Sequence, residues 1–256
     1  MSGPSIIELR EVAQPASTMD RRSGEHWAGL LYMRRLSIYG TWLLVRTPLS
    51  PNQVTGLMIL CGVLSGFILA MPGLWSAIVA ALLIQLYLLL DCSDGELARW
   101  TRRTSIAGVY LDRVGHYFSE AALLIGLGFR ASGSLTQPDW YVVLGFAAAL
   151  GAILIKAETD LVDVARARSG LIAATESSAE LRSSRLGTLR KIASAIGFHR
   201  LIQAIELSLI VLAAAVLDFF MGGLTATRVL LVACAVVAGL QMILHLVSIL
   251  ASRRLT

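Results

Sequence analysis

Asp91, Asp94, Asp112 and His116 are the residues of this chain whose types and spacing most clearly suggest chemistry. Asp91 and Asp94 are three apart, so a helix carries both carboxylates on one face; Asp112 and His116 are four apart and share a face in the same way. The connection between the two pairs is short. The helices on either side must run antiparallel and bring the faces together. Three carboxylates and an imidazole converging at the edge of an apolar segment are costly without a partner. Hard oxygen donors suit Mg²⁺ or Mn²⁺, which are commonly shared with substrate phosphates. The surrounding residues fit a phosphate ligand. Gly95 and Ala98 remove bulk from the same helix, Arg99 offers a fork for a diphosphate, and Gly108 permits close approach one turn before Asp112. The alternative is a set of ion pairs with Arg99, Arg102, Arg103 and Arg113. That alternative does not call for small residues at these offsets.

The elements that position these groups lie in a membrane. Of 256 residues, 56% are hydrophobic and only 15% charged, against about a quarter charged in an ordinary soluble domain. The expected fold is all-α and integral to the membrane, with six transmembrane helices at about 53–73, 75–97, 105–130, 139–165, 201–222 and 226–251. The formal charge of +5 reflects arginines gathered before the first span, after the second, between the fourth and fifth, and at the end of the chain. Such a distribution argues for positive-inside topology with both termini cytoplasmic, and not for nucleic-acid binding. Residues 1–25 read as a disordered cytoplasmic tail, and 26–256 as one membrane domain. Within that domain, 26–47 mixes aromatic, aliphatic and arginine residues at helical spacing, as in an amphipathic juxtamembrane helix at the headgroup layer. Ser50 or Asn52 can cap the first span. Cys61, Cys92 and Cys234 match no zinc or disulfide pattern and read as packing residues.

At the acidic segment the chain resembles the CDP-alcohol phosphotransferases, whose signature is D-x2-D-G-x2-A-R-x8-G-x3-D-x3-D. Asp91, Asp94, Gly95, Ala98, Arg99, Gly108 and Asp112 match it in identity and spacing. The resemblance extends to the run Thr47 to Thr55 (T-P-L-S-P-N-Q-V-T) and to the six-span layout. It implies that the aspartates hold a pair of divalent ions, Mg²⁺ or Mn²⁺. It also implies that Asn52, Thr55, Gly95, Ala98, Arg99, Ser105 and Gly108 face the cytidine nucleotide. The chain departs from the signature at its last position, where His116 replaces the aspartate that serves as metal ligand and general base. Imidazole can fill either role, and Glu120, one turn on, is placed to orient the ring or supply a carboxylate.

The implied activity moves a substituted phosphoryl group from a CDP-alcohol, such as CDP-diacylglycerol, to a hydroxyl acceptor with release of CMP, in phospholipid biosynthesis at the cell membrane. Inositol phosphate and glycerol phosphate are candidate acceptors, with Lys156 and Arg200 as candidate anion contacts. Family members are often homodimers. The rival readings are a cation-coupled transporter, disfavoured because the acids cluster at one face and no repeat is visible, and a non-catalytic relative.

Overall fold

The computed structural model describes residues 4–15, 32–172, 203–252 and 254–255. Among them the chain forms eight helices: α1 (Ile6–Ala13), α2 (Arg34–Leu44), α3 (Pro51–Leu69), α4 (Leu74–Thr101), α5 (Ile106–Ser132), α6 (Trp140–Arg168), α7 (Ala204–Met221) and α8 (Thr225–Ala251). The protein is all-α. Five of the helices, α3, α4, α6, α7 and α8, are long and apolar enough to cross a bilayer, which makes this a multi-pass membrane protein.

The sequence reading expected six spans, and α5 is the one that falls short by composition. At 27 residues it is long enough. Its hydropathy is lowered by Asp112, Arg113, Glu120 and Arg130, and the last two are buried against neighbouring helices. The Arg130 guanidinium donates to the Gly73 carbonyl at 3.0 Å and to Ser76 Oγ at 2.9 Å, so its charge is met by the turn before α4.

Local chemistry sets the helix ends. Ser50 caps α3 in a capping box with Gln53, and Pro51 occupies the first turn, where a missing N–H costs nothing. Asn52 is thereby left free for another role. Ser105 Oγ accepts from the Gly108 N–H at 2.9 Å to start α5. Between α4 and α5 the chain turns through Arg102, whose φ of 54° is the single left-handed non-glycine conformation among the described residues. At the far end Asp218 accepts from the Ala226 and Thr227 N–H groups at 2.7 and 2.9 Å and so caps α8.

Small residues bring the helices of the hairpin and its neighbours together, because apolar burial alone does not drive association in lipid. A β-carbon at Gly126 would lie 2.2 Å from the Gly66 carbonyl oxygen, and one at Gly66 would lie 2.2 Å from that of Ala122. Backbone therefore touches backbone where α3 crosses α5. Leu123, Leu124 and Leu127 of α5 pack into the main core with Met58, Ile84, Tyr87 and Leu207.

One expectation needs correction. Residues Ile6–Ala13, assigned to a disordered tail, instead form a helix opened by a Ser5–Glu8 capping box. Bonds from the Ser5 backbone and side chain hold the Glu8 carboxyl below its ordinary pKa. Leu9 and Ala13 are fully buried against Ile38, with Trp42 and Trp100 alongside. Five of these eight residues are apolar, but so short a run is not stable as an isolated helix, and its stability comes from docking.

Of the helix expected over 26–47, the structure has Arg34–Leu44 as α2; residues 26–31 lie outside the described ones. Its bundle side carries Ser37, Ile38 and Thr41, whereas Leu36, Tyr39 and Leu43 point outward at more than half exposure. The preceding Tyr32 donates to Gln85 Oε1 of α4 at 2.5 Å. Burial first, then the nearby Glu206 charge, push its hydroxyl above the ordinary pKa and keep it protonated for that bond.

Gly126→Leu forces α3 away from α5 and is expected to cost about 1–3 kcal/mol or more, as overpacking does. The thermal midpoint in detergent measures this; a midpoint equal to wild type would contradict the close approach.

Candidate metal and nucleotide site

The four-residue link from α4 to α5 places the end of one helix beside the start of the other. Asp91, Asp112 and His116 each offer a ligand atom within 4.8 Å of the others. His116 Nε2 lies 3.4 Å from Asp91 Oδ1 and 3.7 Å from Asp112 Oδ1. Donors held about 2.0–2.2 Å from one ion stand roughly 3.0–4.3 Å apart, so these separations fit a shared divalent cation. The donor set is two carboxylates and one imidazole.

The other ring nitrogen has a partner of its own. Tyr87 Oη lies 2.6 Å from His116 Nδ1, and the two rings meet edge to face. When Nδ1 carries the proton and donates to the tyrosine oxygen, Nε2 keeps its lone pair on the carboxylate side. A fixed bond at the distal nitrogen is the usual companion of a metal-binding histidine. Tyr87 stands one turn before Asp91 on the same face of α4. The i, i+4 spacing was visible in the sequence, but a tyrosine within an apolar span reads first as core.

Asp94 is placed differently from the other two acids. It is buried and accepts from Thr55 Oγ1 of α3 at 2.6 Å. This bond joins the first span to the acidic helix. A cavity of ≈ 390 Å³ opens over these groups. Every nucleotide-side residue named from the sequence borders it: Asn52, Thr55, Gly95, Ala98, Arg99, Ser105 and Gly108, as do Asp91, Asp94, Asp112 and His116. Ser105 Oγ donates to Asn52 Oδ1 at 3.2 Å, and a β-carbon at Gly108 would come within 2.9 Å of that oxygen. Glycine at 108 thus makes room for Asn52 and for the cavity.

Arg34 and Arg103 also border the cavity, and sequence reasoning missed them. Arg34 comes from α2, far along the chain, and no spacing rule links it to the motif. Glu96 was missed for another reason. Fully buried, it accepts from Ser37 Oγ at 2.6 Å, Thr41 Oγ1 at 2.6 Å and the Gln14 amide at 2.7 Å. A charge inside the motif helix thus fastens α1 and α2 to α4.

The acceptor-side candidates fall elsewhere. Lys156 Nζ of α6 pairs with Glu120 Oε1 at 3.2 Å, which gives both residues a structural partner one turn beyond His116. Nearby, Asp160 binds Arg113 and accepts from the Tyr117 hydroxyl at 2.9 Å. Arg200 lies outside the described residues. His245 meets Thr159 Oγ1 at 2.9 Å, and none of the three cysteines, half-buried or buried, is in a disulfide.

Comparison with known proteins places the chain in a family. Residues 48–175, half of the chain, match the model of the CDP-alcohol phosphatidyltransferase family, and the chain belongs to that family. It is 32% identical over 143 residues to a bifunctional IPC transferase and DIPP synthase of Thermococcus kodakarensis, a match covering 56% of this chain and 31% of that protein. A protein of the same description from Aquifex aeolicus is 32% identical over 111 residues, 43% of this chain and 24% of that one. Human cholinephosphotransferase 1 is 30% identical over 153 residues, 54% of this chain and 37% of its own. The chain therefore spans only about a quarter to somewhat over a third of the length of these relatives.

Tyr87→Phe removes the bond to His116 Nδ1 in a buried setting and is expected to cost about 1–3 kcal/mol. A thermal midpoint unchanged from wild type would show that the hydroxyl does not hold the ring.

Proposed function

We propose that this chain is a membrane transferase that moves a substituted phosphoryl group from a CDP-alcohol to a hydroxyl acceptor and releases CMP. The observation that carries the reading is the convergence of Asp91, Asp112 and His116 under a cavity bordered by the motif residues and Arg99. Divalent ions, Mg²⁺ or Mn²⁺, would be held by Asp91, Asp112 and His116, with Asp94 beside them; bound there, they neutralise the donor diphosphate and the charge that develops on CMP. Asn52, Ser105 and the small residues Gly95, Ala98 and Gly108 shape the space for the nucleotide. Arg99 supplies the charged fork for the diphosphate.

In the reaction the acceptor oxygen bonds to the phosphorus that bears the alcohol, and the bond from that phosphorus to the oxygen retained by CMP breaks. The hydroxyl proton goes to His116 Nε2 when that nitrogen is not ligating. One lone pair serves one partner at a time, so ligand and base are alternative roles for the ring. Tyr87 supports both, because each requires Nε2 unprotonated.

The donor proposed is CDP-diacylglycerol, and the acceptor a small polyol or its phosphate. The relatives' descriptions, an IPC transferase with DIPP synthase and a cholinephosphotransferase, point to phospholipid or polar-headgroup synthesis. Lys156 and Arg200 remain the proposed anion contacts for a phosphorylated acceptor, the first by exchanging its pairing with Glu120. We also propose that α5 spans the membrane as a sixth segment: short links join it to α4 and α6, and its charges are met inside the bundle. The apolar outward face of α2 would rest on the cytoplasmic leaflet of the plasma membrane, with both termini on that side and a homodimer as the assembled form.

With Mg²⁺ or Mn²⁺, purified protein should release CMP from a CDP-alcohol in the presence of an acceptor. Asp112→Asn should lower that rate by at least about a hundredfold, comparable to losing a central electrostatic group. No CMP release with either metal across a range of acceptors, or near-normal rates in the variant, would overturn the reading. His116→Asp separates the two roles of the ring. If His116 only ligates, the variant keeps or gains Mg²⁺-dependent turnover; complete loss with folding intact assigns the imidazole a part of its own.

A further inference from the structure

An arginine on a flexible stem binds a diphosphate poorly until its rotamers are fixed. Arg99 is fixed from an unexpected direction. Its Nε donates to the carbonyl oxygen of Ala13 at 2.6 Å. Ala13 is the last residue of α1, where carbonyls lack partners within the helix and the helix dipole favours a cation. The next residue, Gln14, uses its amide to donate to Glu96 Oε1 at 2.7 Å and to the Arg34 carbonyl at 2.8 Å. Glu96 lies three residues before Arg99, and Arg34 borders the same cavity as Arg99. One short helix end therefore holds the backbone of one cavity arginine and the guanidinium of the other.

The hold is supported by packing. Leu9 and Ala13 are fully buried on Ile38 beside Trp42 and Trp100. With Nε committed, the outer nitrogens of Arg99 lie over Gly95, where a β-carbon would come within 3.3 Å of Nη1. Arg99 and Gly95 both border the cavity. Helix α1 lies outside residues 48–175, the stretch that matches the family.

We propose that α1 is a positioning element for the donor site: Ala13 and Gln14 pre-set Arg99 toward the diphosphate of a cytidine nucleotide. This rests on the reading of Arg99 as a donor contact. Helix α1 itself touches no substrate; it acts by sparing Arg99 the ordering that binding otherwise demands.

The test compares wild type, Leu9→Asp (which undocks α1) and Arg99→Ala, singly and together, by calorimetric titration of cytidine diphosphate with Mg²⁺ in detergent. Leu9→Asp is expected to weaken binding by about tenfold in the wild-type background, the size of one charge-assisted hydrogen bond, and to add nothing in the Arg99→Ala background. In turnover, KM for the CDP-alcohol should rise by a similar factor while kcat changes little. Unchanged affinity in Leu9→Asp, or an equal loss in both backgrounds, overturns the proposal and leaves the donor-site reading standing. Absence of nucleotide binding by wild type overturns both. If Leu9→Asp does not fold, Gln14→Ala replaces it, with a smaller loss expected that again vanishes without Arg99; an additive loss counts against the proposal.

Discussion

Negative charge concentrated at one helix hairpin is the constraint on which the rest of this structure depends. Asp91, Asp94 and Asp112 border one cavity of a bundle whose other buried surfaces are largely apolar, and like charges so placed repel one another. The protein meets part of that cost with its own side chains: Thr55 takes Asp94, and His116 stands between Asp91 and Asp112. On the proposed reading, divalent cations would meet the remainder, and through them a diphosphate.

Holding the acids together requires helices that approach closely and do not slide. Glycine contacts set the α3–α5 crossing, Ser50 and Ser105 fix where those two helices begin, and the left-handed Arg102 turns the chain from α4 into α5. Each device is local and small. Together they bring Asn52, Thr55 and Gly108, from two separate helices, to one cavity. Glu96 performs the complementary task on the outer side, where hydroxyls of α2 and the amide of Gln14 satisfy a carboxylate that packing alone would exclude.

Legibility from sequence divided along physical lines. Residues bound by helical spacing or by a short turn were readable: Asp91 with Asp94, Asp112 with His116, the small residues around Arg99, and the capping serine before the first span. Their partners are local, so local rules suffice. Contacts across long separations were not. Arg99 with Ala13, Glu96 with Gln14 and Lys156 with Glu120 join positions 36 to 86 apart, and nothing in either partner's neighbourhood announces the other. Helix α1 failed to register because eight residues are too few for a helix to stand alone, and α5 falls below the hydropathy of a span because it carries site residues together with the internally paired Glu120 and Arg130. Tyr87 was hidden by its own suitability as a core residue.

The central claim is that Asp91, Asp112 and His116 form one metal centre beside the nucleotide cavity. Its most direct test is an experimental structure of the protein with Mn²⁺ and cytidine diphosphate, with data collected for anomalous scattering. The account predicts an anomalous peak within coordination distance of all three side chains, with the diphosphate lying between that peak and Arg99. A cavity without manganese in the presence of bound nucleotide, or carboxylates turned away and paired with arginines, would contradict it.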